Sequence, residues 1–167
     1  GAASRVVEQT IAQLDRFLDR APATRFETVY VGGGTPSVLP LELLDRLFGR
    51  LADLGPTEWT VEANPESLDR HFIDACARAG VTRLSAGFQS MDDRLLSVLG
   101  RPGAAADNRR ALDLIATEWK GEASIDLIAG IPGQTGEGMI CDAATVARTG
   151  VRHASLYSLT VEPDTPL

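Results

Sequence analysis

Apolar positions in this chain recur at two different periods, one typical of helices and one typical of strands. In residues 5–18, Val7, Ile11, Leu14 and Leu18 recur every three or four positions, which predicts an amphipathic helix. Further helices are predicted at 41–54, 68–79, 92–99, 104–119 and 137–149. Strands are predicted at 26–31, 59–63, 81–88, 124–129 and 154–160.

Strands that alternate with helices favour right-handed crossovers and a parallel sheet. The predicted fold class is therefore α/β, with five parallel strands. A spacing of about thirty residues per unit fits an open sheet and part of a (β/α) barrel equally well. Ser67 is placed to cap the helix at 68–79, and Pro40 suits the first turn of the helix at 41–54.

Side chains alternate between the two faces of a strand, and in the strands at 59–63, 81–88, 124–129 and 154–160 this alternation places polar side chains on one face. Near the carboxyl ends of the strands, this polar face carries Glu62, Gln89, Asp126 and Thr160. Parallel α/β folds bind ligands at that edge. For any one of these residues, a role in capping or bridging neighbouring strands stays open as the alternative.

Three consecutive glycines, Gly32, Gly33 and Gly34, end the first predicted strand. Glycine permits a positive φ and lets a ligand approach main-chain groups without a Cβ in the way. A strand that ends in such a turn before a helix is a common binding position in α/β proteins. A tight turn with a purely structural role would also use glycine.

Composition and charge exclude some functions. The chain has 167 residues, with 16 Lys and Arg against 23 Asp and Glu, and a net charge of −7. This acidic balance argues against binding to the phosphate backbone of nucleic acid. No apolar run approaches the roughly 20 residues needed to span a bilayer, and no signal peptide is recognised. We therefore expect a cytoplasmic protein with no transmembrane segment.

The two cysteines, Cys76 and Cys141, are both expected to be buried as small hydrophobes. They are too far apart in the sequence to form a metal site by spacing. His71 and His153 are expected to have surface or capping roles, and Trp59 and Trp119 are expected to be packing residues at element boundaries.

Five motifs in order carry a resemblance to a known family. They are Gly-Gly-Gly-Thr-Pro-Ser at 32–37, Glu-Ala-Asn-Pro at 62–65, Leu-Ser-Ala-Gly-Phe-Gln-Ser at 84–90, Asp-Leu-Ile-Ala-Gly-Ile-Pro-Gly-Gln-Thr at 126–135 and Tyr-Ser-Leu-Thr-Val-Glu-Pro at 157–163. Together they resemble the radical S-adenosylmethionine (SAM) core of the family of HemW haem chaperones and oxygen-independent coproporphyrinogen III oxidases (HemN). The resemblance covers nearly the whole chain and implies a partial (β/α) barrel that holds SAM at the carboxyl ends of its strands.

For the methionyl part of SAM, the resemblance implies four residues. Gly33, Gly34 and Thr35 would meet the amino group. Arg101 would pair with the carboxylate, which suits the planar fork of a guanidinium.

For the nucleoside part, the resemblance implies four more residues. Glu62, Gln89 and Asp126 match positions that hydrogen-bond the ribose and nearby polar atoms. Thr160 falls at a position that lines the adenine side.

The chain also departs from the family pattern. Gly103 stands where family members usually have histidine, Met91 replaces phenylalanine and Ala129 replaces a common tyrosine. The family's first strand, with its Cys-x3-Cys-x2-Cys loop, and its C-terminal domain are not found in residues 1–167, which we interpret as a single truncated core. In relatives, the three cysteines of that loop hold a [4Fe–4S] cluster. We therefore expect no metal ligands in this chain.

The resemblance leaves three functional hypotheses open. The chain is the SAM-binding core of a HemW-like haem-trafficking protein, a fragment of a HemN-type coproporphyrinogen decarboxylase, or a cluster-free nucleoside-binding α/β domain. The ligands implied are SAM and haem or porphyrin, and the partners implied are haem-acceptor proteins. Enzymatic activity stays open, because the chain resembles radical SAM oxidoreductases but has no cluster cysteines.

Overall fold

Five parallel strands form one sheet, in the same order as they occur in the chain. They are β1 (Thr28–Val31), β2 (Glu58–Ala63), β3 (Arg83–Gln89), β4 (Glu122–Ala129) and β5 (His153–Ser158). The helices are α1 (Ala2–Arg20), α2 (Leu41–Ala52), α3 (Arg70–Ala79), α4 (Asp93–Val98), α5 (Ala105–Glu118) and α6 (Gly136–Ala147). A 3-10 turn, Pro36–Val38, follows β1.

This computed structural model describes residues 1–162. Pro163, the last residue of the fifth sequence motif, lies outside them. Within the described range, no helix is both long enough and apolar enough to cross a membrane.

The strand order decides between the open sheet and the barrel segment that periodicity left open, and it agrees with the partial barrel that the resemblance implies. In a doubly wound sheet the order reverses at a switch point, whereas here each crossover adds the next strand on the same side. Sequential addition is the arrangement of a (β/α) barrel segment. The predicted α/β fold with five parallel strands is confirmed.

The hydrophobic core lies between the helices and the apolar face of the sheet. Val61, Leu84 and Ile125 sit on adjacent strands and are fully buried. Trp59 packs edge-on against Phe48 of α2, with ring centroids 5.3 Å apart. Full burial of one such side chain contributes about 1.5–3 kcal/mol, so this layer is the main source of stability.

The start of α3 differs from the sequence prediction. Ser67 does not cap the helix; Asp69 does, and its Oδ1 accepts a 2.8 Å hydrogen bond from the backbone N of Phe72. The helix begins later because the backbone N atoms of Ser67 and Leu68 both donate to the carbonyl of Asn64 and form a turn. Pro40 also lies one position earlier than predicted, at the N-cap of α2.

The cysteine predictions are half right. Cys76 is fully buried, as predicted, but Cys141 is exposed. In α6, Asp142 and Val146 turn towards the sheet, and with 3.6 residues per turn Cys141 falls outside that buried stripe. The neighbouring Ile140 is 70% exposed for the same reason.

Candidate functional site

Glu62 on β2 connects its own strand to the glycine turn that follows β1. Its Oε2 accepts a 3.0 Å hydrogen bond from the backbone N of Gly33. Its Oε1 accepts a 2.5 Å bond from the phenol of Tyr30. This hydrogen bond is the main cause that raises the pKa of Tyr30 to about 12, and partial burial adds to the shift. Tyr30 therefore stays protonated and fixes the carboxylate beside the turn.

The glycine turn needs glycine for two separate reasons. A Cβ on Gly32 would lie 2.5 Å from Cε1 of Tyr30 and 2.7 Å from Cδ of Glu62, so a side chain there would displace both. Gly33 and Gly34 have φ of 73° and 74°, which other residues adopt only with strain. Apart from the adjoining residues of the chain, no described atom lies within 4 Å of the Cβ positions of these two glycines, so this side of the turn is open to a ligand.

Asp126 on β4 lies on the same face of the sheet as Glu62. Glu62 pairs with Ser85, and Asp126 pairs with Gly87, two residues further along the same strand. The hydroxyl of Ser85 donates to Oδ2 of Asp126 over 3.3 Å. The side chains of Glu62 and Asp126 therefore both lie on the polar face of the sheet and not on the face that contacts the helices. The alternation of residues along the strands predicted this placement.

Gln89 ends β3 in an unusual conformation. Among the described residues it is the only non-glycine residue with a positive φ, 65°. The register between β3 and β4 shifts at this point, and the backbone N of Ser90 donates to the carbonyl of Phe88 over 2.7 Å. This bond closes a three-residue turn centred on Gln89, a strained geometry that costs about 1–3 kcal/mol.

The strained turn places the Gln89 amide on the polar face. Nε2 of Gln89 lies 2.8 Å from the point where Gly87 would carry a Cβ. A guanidinium nitrogen of Arg101 lies 3.1 Å from the same point. Any larger residue at position 87 would therefore displace both groups.

Arg101 follows α4 and reaches back to the polar face. Its guanidinium donates long hydrogen bonds to Oδ1 of Asn64, at 3.4 Å, and to the carbonyl of Gly87, at 3.5 Å. No described carboxylate forms an ion pair with it. The guanidinium is half-buried and keeps N–H groups that can bind an anion.

The structure brings together seven of the eight predicted site residues. These seven are Gly33, Gly34, Thr35, Glu62, Gln89, Arg101 and Asp126, which hydrogen bonds, strand register, chain adjacency or short distances place near one another. Thr35 joins it through its Oγ1, which accepts a 3.2 Å bond from Nδ2 of Asn64. Thr160 lies two positions beyond β5 and is exposed, and in the described range no hydrogen bond joins it to the other seven.

Sequence reasoning missed Tyr30, Asn64 and Ser85, which connect the predicted residues. Tyr30 and Asn64 were detectable, since the two-residue period of a strand puts Asn64 on the same face as Glu62, and Tyr30 on the matching face of β1. The two histidines lie elsewhere, as predicted. His71 is exposed in the first turn of α3, and His153 lies at the amino end of β5.

The described residues offer no ligand set for a metal cluster. No group of three or more His, Cys, Asp or Glu side chains between residues 1 and 162 is arranged to hold a metal ion. Burial raises the pKa of the Cys76 thiol to about 12, which disfavours the thiolate that iron would need. Cys141 lies on the outer side of α6. An iron–sulfur cluster therefore does not fit the residues of this part of the chain.

Comparison with known proteins identifies the family. The model of the radical SAM superfamily matches residues 2–141. This chain belongs to the radical SAM superfamily.

Within this superfamily, the chain is similar to curated haem chaperones. It is 39% identical over 163 residues to the haem chaperone HemW of Mycobacterium tuberculosis, which covers 93% of this chain and 41% of the relative. It is 34% identical over 164 residues to HemW of Escherichia coli, which covers 95% of this chain and 43% of the relative. The predicted resemblance to this radical SAM group is confirmed, and the chain spans about two fifths of the length of these relatives.

A solved structure supports the radical SAM fold. The coproporphyrinogen III oxidase HemN of Escherichia coli, described as a radical SAM enzyme, superposes with a TM-score of 0.80. The match covers 96% of this chain and 39% of HemN at 23% sequence identity. At that identity the similarity shows the fold alone.

Proposed function

We propose that this chain is the SAM-binding core of a HemW-like haem-trafficking protein that acts in the cytoplasm. The observation that carries the proposal is the convergence, at one edge of the sheet, of an open glycine turn, two carboxylates and a guanidinium that forms no ion pair within residues 1–162. SAM presents complementary groups, namely an ammonium, a carboxylate and a ribose diol.

The methionyl end of SAM fits the turn after β1 and Arg101. Gly33 and Gly34 leave their outer side open, and Thr35 follows directly. Among the described residues, Arg101 is held only by neutral carbonyl oxygens, so an arriving carboxylate would give it a stronger, charge-assisted bond. We assign these residues to the amino acid part of the ligand.

The ribose fits the carboxylates of the polar face. Within residues 1–162 the Asp126 carboxylate accepts one side-chain hydrogen bond, from Ser85, so its oxygens retain capacity for a ribose hydroxyl. Each oxygen of Glu62 accepts one bond from this chain and has a further lone pair. The Gln89 amide offers both a donor and an acceptor close to Gly87, the residue paired with Asp126 across the two strands. We propose Thr160 for the adenine side, beyond the end of β5.

The chemistry itself would come from the cofactor. In radical SAM proteins, SAM beside a reduced [4Fe–4S] cluster supplies one-electron chemistry at the sulfonium. The residues of this chain bind and orient the nucleoside, and Tyr30 keeps its proton and donates a hydrogen bond to Oε1 of Glu62, which holds that side chain beside the turn. Haem, and the proteins that receive it, belong to the proposed function of the whole protein by similarity to relatives that are named haem chaperones.

Calorimetry with SAM tests the proposed site. The Glu62→Ala, Asp126→Ala double variant should lose most of the binding heat that the unmodified chain gives. The matched control is Glu58→Ala, Asp74→Ala, which removes the same charge from exposed positions away from the site. Equal heats for the unmodified chain and the Glu62, Asp126 variant would refute the pocket.

Measurements on the full-length protein separate the haem-trafficking function from the decarboxylase function. Tight haem binding without turnover of coproporphyrinogen supports the haem-trafficking function, whereas turnover would assign the decarboxylase function. A gene sequence without a three-cysteine loop upstream of Gly1 would favour the cluster-free nucleoside-binding domain.

A further inference from the structure

Two buried polar side chains of the helix layer form hydrogen bonds to the strained turn at Gln89. They are Asn108 of α5, which is 4% exposed, and Asp142 of α6, which is 6% exposed. Neither residue belongs to the proposed ligand site. Both are of residue types that are rarely buried without a specific partner.

Asn108 bridges the two ends of the turn. Its Nδ2 donates to the carbonyl of Phe88 over 2.9 Å and to the carbonyl of Ser90 over 2.6 Å. These carbonyls belong to the residues on either side of Gln89. One side-chain amide thus fixes the spacing of the backbone across the residue with positive φ.

Asp142 fixes the segment that leaves the turn. Its Oδ2 accepts a 2.8 Å bond from the hydroxyl of Ser90 and a 3.1 Å bond from the backbone N of Met91. Ser90 is fully buried, and its hydroxyl also accepts a bond from the backbone N of Asp92. The chain after Gln89 is therefore tied to α6.

We propose that Asn108 and Asp142 are positioning residues that hold Gln89 in its left-handed conformation, so that its side-chain amide lies over Gly87 beside Arg101. The role in ligand binding rests on the proposed function, since it assumes that SAM occupies this edge of the sheet. A glutamine gains nothing locally from a positive φ, so external bonds must maintain it. Without them the backbone relaxes to an extended conformation and the amide leaves the polar face.

The conformational part of the proposal is tested without any ligand. Backbone torsions at Gln89 are measured by NMR scalar couplings in the unmodified chain and in Asn108→Ala. We expect a positive φ in the unmodified chain and a negative or averaged φ in the variant, with the rest of the sheet unchanged. A positive φ that persists in Asn108→Ala overturns the proposal.

A double-mutant cycle with SAM tests the binding part. Asn108→Ala should weaken SAM binding by about tenfold, which corresponds to 1.4 kcal/mol. In a Gln89→Gly background, the same substitution should have no further effect, because Asn108 then has no amide to position. An equal loss in both backgrounds would mean a purely structural role and would overturn the proposal.

Controls separate positioning from loss of stability. Ile115→Val, on the same helix and buried to a similar degree, should lower stability without changing the Gln89 torsion or SAM affinity. If Asn108→Ala does not fold, Ser90→Ala provides the test, because it removes only the hydroxyl bonds of the turn. Asp142→Asn should retain the left-handed turn through its amide oxygen, whereas Asp142→Leu should lose it.

The two proposals fail in different ways. If the unmodified chain gives no heat with SAM, the proposed function is wrong, while the NMR torsions still decide whether Asn108 holds Gln89. If SAM binds and the torsion of Gln89 is insensitive to Asn108, the positioning proposal is wrong and the proposed function stands.

Discussion

The phenol of Tyr30 on β1 and the carboxylate of Glu62 on β2 are joined by a 2.5 Å hydrogen bond across two neighbouring parallel strands. The bond requires a protonated phenol, because the phenol is its donor. It therefore couples the ionisation of Tyr30 to the geometry of the glycine turn, because the second oxygen of Glu62 holds the backbone N of Gly33.

This coupling predicts a stability change at high pH. The pKa of Tyr30 rises from 10.0 to about 12 in the folded chain, so folding favours the protonated phenol. The contribution of the pair is complete below pH 10 and is lost as the pH rises to about 12. Urea unfolding midpoints of the unmodified chain should therefore fall across this window more steeply than those of Tyr30→Phe.

The absorbance of tyrosinate provides a direct check. The difference between titrations of the unmodified chain and Tyr30→Phe isolates one phenol, with an expected midpoint near the pKa of about 12. The chain has two tyrosines, so Tyr157→Phe serves as the matched control and should retain that titration step. A Tyr30 midpoint at 10 would contradict the hydrogen bond to Glu62.

Two glycine substitutions should act by different mechanisms. Gly32→Ala places a Cβ against Tyr30 and Glu62, so those side chains must move apart. We expect the pKa of Tyr30 to fall back towards 10, because the hydrogen bond to Glu62 is the main cause of the raised pKa and this substitution breaks it. Tyrosinate titration of Gly32→Ala measures this shift.

Gly33→Ala should instead cost stability through the backbone. Its φ of 73° is strained for alanine by about 1–2 kcal/mol, while no described atom would clash with the added methyl. We expect a lower urea midpoint and a Tyr30 pKa that stays raised. The opposite pattern, with a pKa change only in Gly33→Ala, would contradict the assigned geometry.

The N-cap of α3 offers a test of stability away from the site. Asp69→Ala removes the acceptor for the backbone N of Phe72, which should lower the free energy of unfolding by about 1 kcal/mol. Asp74→Ala is the matched control, because Asp74 is an exposed carboxylate inside the same helix and alanine suits that position. Equal effects of the two substitutions on urea unfolding would show that Asp69 does not cap the helix.

Periodicity was sufficient to predict the elements and the polar face, because both follow from local geometry. Glu62 and Asp126 could be placed on one face of the sheet from the two-residue alternation of their strands. The strand order could not be predicted in this way, since open sheets and barrel segments have the same sequence of elements. The family resemblance implied a partial barrel, and the structure shows that each strand adds to the same side.

The sequence did not predict the N-cap of α3 or the conformation of Gln89, because both depend on hydrogen bonds beyond the local pattern. Ser67 and Asp69 are both good N-cap residues, and the turn at Asn64 decides between them. The strained conformation of Gln89 depends on Asn108 and Asp142, which are distant in sequence and belong to two other elements. Local patterns carry no signal for such long-range hydrogen bonds.

Arg101 provides the sharpest test of ligand orientation. Its guanidinium has only long bonds to the neutral oxygens of Asn64 and Gly87 and no ion pair among residues 1–162. Arg101→Gln should therefore leave stability nearly unchanged and weaken SAM binding about tenfold or more, since hydrogen bonds to charged groups contribute about 1.5–3 kcal/mol. Calorimetry measures the affinity at low and high salt, and the salt dependence should diminish in the variant.

Calorimetry with adenosine shows whether Arg101 acts on the methionyl end or on the nucleoside end of the ligand. Because adenosine has no methionyl carboxylate, its affinity should be the same for the unmodified chain and Arg101→Gln. Arg94→Gln is the control for a loss of charge, since Arg94 is exposed and pairs with Asp92 away from the site. A parallel loss of adenosine and SAM affinity in Arg101→Gln would place the guanidinium at the nucleoside instead, and would reverse the orientation that the open glycine turn supports.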